Sequence, residues 1–277
     1  MTSRTEVLTA GPAEGLAGLL GVPLPDLSSE GIPALWHWVY LLDRPAQADL
    51  GADGHPVRGV VPVPPGPGLR RMWAGGRVHT SGPLVVGEEA TRESRVLASE
   101  EKVGRSGAMT FVTVRHEVTQ HGRLVVEEDQ RIVYRQPPAA SAPDAPGATG
   151  GRDGDGVAAD VPLGADEWPI EVTATLLARY SALTYNGHRI HYDRDFTRDV
   201  EGYPGLLVHG PLQAVAMAEA ARRVAGGAVT PGEFEYRLTA PLFDHQGLVV
   251  GAVASDDGIR TSARDRSGRQ TAEGLWR

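Results

Sequence analysis

The segment from Gln136 to Asp160, QPPAASAPDAPGATGGRDGDGVAAD, constrains the fold of this chain more than any other stretch of the sequence. It is dense in Pro, Ala, Gly and Asp, and Val157 is its only large apolar residue. A segment of this composition cannot bury enough surface to offset the entropy that it loses on ordering. We therefore predict a flexible linker over 136–166, which separates an N-terminal half at 1–135 from a C-terminal half at 167–277.

The composition permits a packed core and excludes several classes of function. Of the 277 residues, 41% are hydrophobic, as in ordinary globular proteins. Lys and Arg number 27 against 35 Asp and Glu, and the net charge of −8 disfavours nucleic acid and membrane as partners. The chain has no cysteine, which excludes disulfides and thiolate chemistry. Because we find no targeting signal and no apolar run of roughly 20 residues, we predict a cytoplasmic protein.

The first half carries the pattern of an antiparallel sheet. Its stretches Arg95–Ala98, Met109–Val118 and Leu124–Tyr134 are rich in β-branched and aromatic residues. The last two are predicted to form a hairpin that turns at His121–Gly122. An early aromatic group, WHWVY at 36–40, is expected to pack the core of this half or to line an internal tunnel.

The second half carries the pattern of two helices followed by strands. EVTATLLARYSALT has apolar residues at helical spacing, and LLVHGPLQAVAMAEAARRVAGG predicts a second helix that ends at Gly226–Gly227. Four short β stretches follow: FEYRLTAPLF, LVVGAVAS, GIRTSARD and GRQTAEGLW. Helices before antiparallel strands predict an α+β fold, with a helix laid across a curled sheet.

The first helix runs into a polar motif, YSALTYNGHRIHYD, for which the residues alone leave three interpretations open. Asn186 could cap the helix while His188 and His191 lie on the surface. The two histidines with Asp193 could bind a metal, although no zinc-type spacing is present. Alternatively, His191 acts as a general base and Asn186 positions a water molecule.

The third interpretation gains support from VHGPLQA, at the start of the second helix. There His209 and Gly210 precede the helix, whose first N–H groups have no partner within it. Such groups suit a carbonyl oxygen that acquires negative charge. A base together with an oxyanion site is the minimum for chemistry beside a thioester carbonyl.

The motif and its surroundings resemble a known family. YSALTYNGHRIHYDRDF and EGYPGLLVHGPL are similar to the hydratase motif of MaoC-like, hot-dog-fold enoyl-thioester hydratases and dehydratases. The resemblance is closest to the branch of yeast-type mitochondrial hydroxyacyl-thioester dehydratase, mesaconyl-C4-CoA hydratase and itaconyl-CoA hydratase. IPALWHWVYLL, LGADGHPVRG and RRMWAGGRV in the first half resemble the same branch. The resemblance thus covers nearly the whole chain apart from the linker.

The resemblance implies a double hot-dog fold, in which two antiparallel sheets each wrap around a long central helix. It also implies a hydro-lyase that reversibly adds water to the double bond of a small α,β-unsaturated acyl-CoA, of branched or dicarboxylic type such as itaconyl- or mesaconyl-CoA, without a cofactor or a metal. His191 then matches the catalytic histidine, and Gly210 matches the glycine whose N–H polarises the thioester carbonyl. Asn186 stands where most MaoC-type hydratases have an aspartate, so either His191 alone moves the proton from water to the α-carbon or a nearby group such as Asp193 shares that work.

Further residues are expected to bind the substrate. Arginine binds phosphates and carboxylates bidentately, so a basic and aromatic group in this acidic chain suits coenzyme A or a free carboxylate of the acyl group. Alternatively, the group is a solubilising surface loop whose tryptophan covers the core. The expected substrate-binding residues near this group and near the motif are Arg70, Arg71, Trp73, Arg77, Tyr185, His188, Asp193 and His209.

Two other functions remain open at this point. One is a hot-dog thioesterase, which needs a carboxylate near its helix, where Glu219 is the only acid. The other is a polyketide- or fatty-acid-pathway protein that dehydrates, or only binds, an acyl group on a carrier protein. The substrate partner is therefore an acyl-CoA or an acyl-carrier-protein thioester, and a homodimer is compatible with the sequence.

Overall fold

The computed structural model describes residues 1–66, 68–104, 107–136, 159–227 and 231–277. Most of the predicted linker, 137–158, lies outside the described residues, and its flexibility stays a prediction. The remainder of the linker, 159–166, is bonded to the second half: Val161 N–H donates to the carbonyl of Arg266 at 2.7 Å. The boundaries of the two halves likewise stay predictions.

Ten strands form one continuous sheet in the part of the chain that the structure describes. The first half contributes β1 (Thr2–Val7), β2 (Arg70–Thr80), β3 (Glu89–Gly104), β4 (Gly107–Gln120) and β5 (Arg123–Arg135). The second half contributes β6 (Glu167–Ile170), β7 (Gly232–Leu238), β8 (Leu248–Ser255), β9 (Gly258–Arg264) and β10 (Gln270–Trp276). The order is β1-β3-β4-β5-β2-β7-β10-β9-β8-β6.

The two half-sheets join at β2 and β7, which pair antiparallel from Gly75 opposite Arg237 to Thr80 opposite Gly232. The resemblance implied two sheets, and this edge-to-edge pairing merges them into one. The predicted hairpin is confirmed, since β4 and β5 turn at His121 and Gly122, whose φ angles are 52° and 70°. Positive φ at both turn positions matches the right-handed twist of the strands.

Four helices accompany the sheet: α1 (Ala10–Leu20), α2 (Ala174–Leu183), α3 (Arg194–Asp199) and α4 (Gly210–Val224). Short 3₁₀ turns lie at Trp36–Val39, Gln47–Asp49, Arg189–His191 and Asp244–Gln246. Helix α4 is buried continuously from Leu212 to Ala221, because its many alanines let the sheet approach on every side. This arrangement confirms the predicted α+β class. No described helix is both long and apolar enough to cross a membrane.

The first half contains no counterpart of α4 among the described residues. In place of the expected long helix it has the 11-residue α1 and the 3₁₀ turn at Trp36–Val39. Trp36 is fully buried, as predicted for a core residue. The next two side chains bind a buried carboxylate instead: Glu128 accepts hydrogen bonds from His37 Nε2 at 2.9 Å and from Trp38 Nε1 at 3.0 Å. Burial raises the pKa of Glu128, but the bond from His37 and its charge outweigh burial and lower it to about 2.

A loop of the first half crosses directly over the second half at Gly54. Gly54 has a φ of 86°, and a Cβ at this position would overlap the carbonyl oxygen of Gly187. The neighbouring Asp53 carbonyl accepts a hydrogen bond from Arg189 N–H at 2.8 Å. The loop therefore fits the second half only because residue 54 lacks a side chain.

We expect Gly54→Ala to lower the free energy of unfolding by about 3 kcal/mol or more, since the added methyl forces the loop away from Gly187. Gly59→Ala is the matched control, because Gly59 lies in the same loop with a φ of 72° and no heavy atom near its Cβ position. The control should cost only the backbone strain, about 1 kcal/mol. Urea unfolding of both variants measures the difference, and equal losses would contradict this account of the loop.

Candidate active site

A cavity of about 1380 Å³ lies between the two halves. The first half lines it with the loop at 50–57 and the start of β2, and the second half with the end of α2, the turn at 186–192 and the first residues of α4. Ordinary small-molecule pockets measure roughly 300–1,000 Å³, so this cavity has room for a large ligand. Asn186, His191 and Gly210, the three predicted catalytic residues, all line it.

His191 is buried in the 3₁₀ turn with one ring nitrogen already bonded. Its Nδ1 lies 2.7 Å from the carbonyl oxygen of Leu207. A carbonyl can only accept, so Nδ1 carries the proton and Nε2 keeps its lone pair. Burial lowers the pKa of His191 to about 3 against the opposing effect of the Leu207 bond. The ring is therefore neutral near pH 7 and able to accept a proton.

The ring of His209 packs against the ring of His191. The two rings stack with centroids 3.6 Å apart, and His209 Nε2 lies 2.9 Å from Ser181 Oγ. His209 is fully buried and does not line the cavity. The structure thus places it in the packing beneath the site, not at the substrate-contact position expected from the sequence. The reason is that the chain turns into α4 at this residue, directing the backbone of Gly210, and not the ring of His209, at the cavity.

Asn186 lies in a turn that its own side chain stabilises. Its Oδ1 accepts a hydrogen bond from His188 N–H at 3.0 Å. The preceding Tyr185 adopts a φ of 51°, so it takes the left-handed position that ends helix α2, and its half-exposed ring borders the cavity. With Oδ1 engaged, the Nδ2 group of Asn186 remains as a donor toward a bound water. The helix-end and water-positioning interpretations of Asn186 are therefore compatible.

Gly210 is the first residue of α4, and its N–H belongs to the turn that lacks acceptors within the helix. A Cβ at this position would overlap the side chain of Leu238 and would lie 3.7 Å from Cβ of Trp73. Trp73 also lines the cavity, and its Nε1–H donates to the hydroxyl of Tyr236 at 2.8 Å. The glycine thus keeps the start of the helix open to the cavity and close to β2.

The three predicted arginines occupy different surroundings. Arg70 lines the cavity, but its Nε lies 2.7 Å from Glu201 Oε2. Arg77 lies outside the cavity lining and pairs with Asp129 at 3.3 Å. Arg71 lines the cavity and forms no ion pair among the residues that the structure describes, and its guanidinium lies next to the side chains of Tyr134 and Trp73.

His188 lies in the cavity wall, whereas Asp193 lies outside it. His188 is buried in the cavity wall, with its ring centroid 5.3 Å from that of His191. Asp193 does not line the cavity, because it caps α3 through Phe196 N–H at 3.0 Å and pairs with Arg189 at 2.8 Å. The expectation that Asp193 shares proton work with His191 is therefore not supported by its position.

Two residues of this wall were absent from the predicted site. Asp53 and His55, from LGADGHPVRG in the first half, line the cavity beside His188. The rings of His55 and His188 are in contact, with centroids 3.8 Å apart and planes tilted by 37°. The sequence signal was an aspartate and a histidine two residues apart in a glycine-rich loop, which by itself does not indicate a site. Only the folded chain brings these residues to the motif.

We expect the free energy of unfolding to fall as the pH drops from about 7 towards 5. Burial lowers the pKa values of His55, His188, His191 and His209 below the ordinary value of 6.5. Below pH 6.5 the unfolded chain then binds more protons than the folded chain, which favours unfolding. Urea unfolding at pH 7.5, 6.0 and 5.0 measures the slope. His209→Gln should reduce that slope, and an unchanged slope would contradict the burial of a neutral His209.

Comparison with known proteins identifies the family. The family model of hydroxyacyl-thioester dehydratase type 2 matches residues 35–244. Mesaconyl-C(4)-CoA hydratase of Chloroflexus aurantiacus is 41% identical over 254 residues, which are 90% of this chain and 83% of that protein. The mitochondrial hydroxyacyl-thioester dehydratase type 2 of Schizosaccharomyces pombe is 23% identical over 88% of this chain and 87% of that protein.

Solved structures agree on the fold. HtdX of Mycobacterium tuberculosis matches with a TM-score of 0.68 at 13% identity, covering 100% of this chain and 99% of that chain. A second Mycobacterium tuberculosis protein, described as a double hot-dog fold, matches with a TM-score of 0.54 at 17% identity over 98% and 92% of the two chains. These likenesses confirm the predicted double hot-dog fold, and the sequence relatives confirm the predicted hydro-lyase class. The chain belongs to the family of hydroxyacyl-thioester dehydratases type 2.

Proposed function

We propose that this protein reversibly adds water to the double bond of a small α,β-unsaturated acyl-CoA that carries a free carboxylate. The observation that carries the proposal is the pair formed by a neutral His191, whose Nε2 is free, and the open start of α4 at Gly210 on the same cavity. The proposal includes no cofactor, because water and the substrate supply every atom of the reaction.

His191 acts as the general base. Its Nε2 accepts a proton from water as the water oxygen bonds to the β-carbon, and the electron pair of the double bond moves toward the thioester carbonyl. The proton then passes from His191 to the α-carbon, which restores the neutral ring. In the reverse direction the same atoms remove the α-proton and release water.

Gly210 and Asn186 support this step. The N–H of Gly210 and the positive end of the α4 dipole stabilise the negative charge that develops on the carbonyl oxygen. The Nδ2 group of Asn186 holds the water by donation, because an amide cannot accept the proton of water as an aspartate would. His191 therefore carries the proton transfer alone at this position of the motif.

Arg71 is the group that favours a substrate with a free carboxylate. It faces the cavity beside the histidines and has no acidic partner among the described residues, whereas Arg70 and Arg77 are both paired. An unpaired guanidinium in a cavity wall is a strong site for a carboxylate. The name of the Chloroflexus relative, a mesaconyl-CoA hydratase, describes a substrate of this kind.

The remaining expectations stay proposals. Glu219 of α4 pairs with Arg222 at 2.8 Å and does not line the cavity, which gives no support to a thioesterase. Coenzyme A, not a carrier protein, is proposed as the carrier. The cytoplasmic location and the homodimer stay predictions.

We expect wild-type protein to consume mesaconyl-, itaconyl- or crotonyl-CoA, with loss of the enoyl absorbance. His191→Ala should reduce kcat by about 10³-fold or more, because it removes the only proposed base at the reacting water. His121→Ala, in the β4–β5 turn, is the control for histidine removal at a distance. Appearance of free thiol without hydration would indicate a thioesterase, and full activity in His191→Ala would refute the assignment of the base.

We expect Arg71→Met to lower kcat/KM for mesaconyl-CoA by about 10- to 100-fold and for crotonyl-CoA by less than about threefold. The two thioesters share the coenzyme but differ in the free carboxylate, so the comparison isolates that group. Arg131→Met is the matched control, because Arg131 lies half-exposed on β5 and pairs with Glu235 at 3.2 Å. Equal losses for both thioesters would show that Arg71 binds the coenzyme instead.

A further inference from the structure

A buried group of polar side chains adjoins His191 on the side of the first half. Asp53 holds His55 through two hydrogen bonds: Oδ1 accepts from His55 N–H at 3.0 Å, and Oδ2 lies 3.1 Å from His55 Nδ1. A carboxylate only accepts, so His55 Nδ1 carries a proton and Nε2 keeps its lone pair. The same Oδ2 lies 4.0 Å from His188 Nε2.

This group connects Asp53 to the proposed base through two rings. The ring centroids of His55 and His188 lie 3.8 Å apart with the planes tilted by 37°, and the His188 ring meets that of His191 edge to face at 5.3 Å. His188 and His191 are almost fully buried, and His55 and Asp53 are partly buried in the cavity wall. Burial removes part of the water around these side chains, so charges act on one another more strongly than at a fully exposed surface.

The proton transfer creates a need for a negative charge in this wall. When His191 accepts a proton, a positive charge appears in a buried site whose neighbours are a neutral carbonyl and the ring of His209. Asn186 is uncharged and cannot balance it. Asp193, the nearest acid in the motif itself, is committed to α3 and to Arg189.

We propose that Asp53 supplies from the first half the negative charge that the motif lacks at position 186, and that it acts on His191 through His55 and His188. Asp53 is thus a positioning residue for the hydration step, and the inference rests on the proposed function. In this arrangement the carboxylate that a motif with asparagine lacks comes from the first half of the chain.

The charges around this group are consistent with an ionised Asp53. Burial raises the pKa of Asp53, but the hydrogen bond and the charge of His55 outweigh it, so the pKa is lowered overall. The other charged or titratable groups that act on these histidines are His209 and Arg71, and Asp53 in turn raises the pKa of Glu201. Arg71 is the only one of these groups that is always cationic.

The test removes the carboxylate from residue 53 and then introduces one at residue 186. Asp53→Asn retains one oxygen to accept the bond from His55 N–H, so the loop can keep its shape. We expect it to lower kcat by about 10- to 100-fold with KM within about threefold of wild type. Adding Asn186→Asp to this variant should raise kcat at least about tenfold above that of Asp53→Asn, because it returns a carboxylate to the motif. Thermal melting of each variant verifies that it is folded.

Asp49→Asn is the matched control, since Asp49 lies in the preceding 3₁₀ turn and pairs with the exposed Arg58 at 2.9 Å. Its kcat should stay within about twofold of wild type. A kcat of Asp53→Asn within threefold of wild type, or a double variant as slow as Asp53→Asn, would overturn the proposal.

Asp53, His55 and His188 also place ligand atoms within 4.8 Å of one another. Loss of wild-type activity on chelation, with recovery on adding Zn²⁺, would overturn it in favour of a metal site.

A second readout needs no substrate. Histidine pKa values measured by ¹⁵N NMR should fall for His55 and His188 in Asp53→Asn and rise again in the double variant. If wild type hydrated none of the thioesters, the proposed function would fail, while the NMR comparison would still decide whether Asp53 controls the charge of the histidines. Unchanged pKa values in Asp53→Asn would overturn the inference whatever the activity.

Discussion

The backbone contact between Gly54 and Gly187 is the constraint on which the arrangement of the site depends. It leaves no space for a side chain at residue 54, so the loop of the first half lies directly on the turn that follows α2. Because Asp53 and His55 flank this contact, their side chains are fixed against His188. The cavity therefore has one wall built from both halves, although the residues involved are more than 130 positions apart.

Burial, more than charge pairing, sets the chemical state of this wall. A histidine in water is partly protonated near neutral pH, and its protonated fraction cannot accept a proton. Here stacking on His209 and enclosure by α2 and α4 hold His191 neutral, and the Leu207 carbonyl selects the tautomer with a free Nε2. As a consequence, acid lowers the free energy of unfolding, because the buried imidazoles bind protons less readily than they do in the unfolded chain.

The three arginines of β2 differ in their surroundings because they differ in their ion-pair partners. Arg70, Arg71 and Arg77 all lie on strand β2. Glu201 forms an ion pair with Arg70, and Asp129 forms one with Arg77. Arg71 is left facing the cavity without an acidic partner among the described residues. In the proposed function, Arg71 binds the free carboxylate of the thioester and His191 is the reaction centre, and both line the same cavity.

Local patterns in the sequence were sufficient for the α+β class, the hairpin at His121–Gly122 and the helix that became α4. Each of these depends on periodicity or turn preference within a short stretch, which folding preserves. Residues whose roles depend on distant partners could not be read in the same way. Asp193 and Arg77 are engaged by neighbours outside the cavity, His209 is directed into the core by the start of α4, and Asp53 and His55 reach the motif only across the contact of the two halves. The sequence determined which chemistry the chain carries, and the tertiary structure decided which side chains meet the cavity, because ion pairing, burial and long-range contact are properties of the folded chain alone.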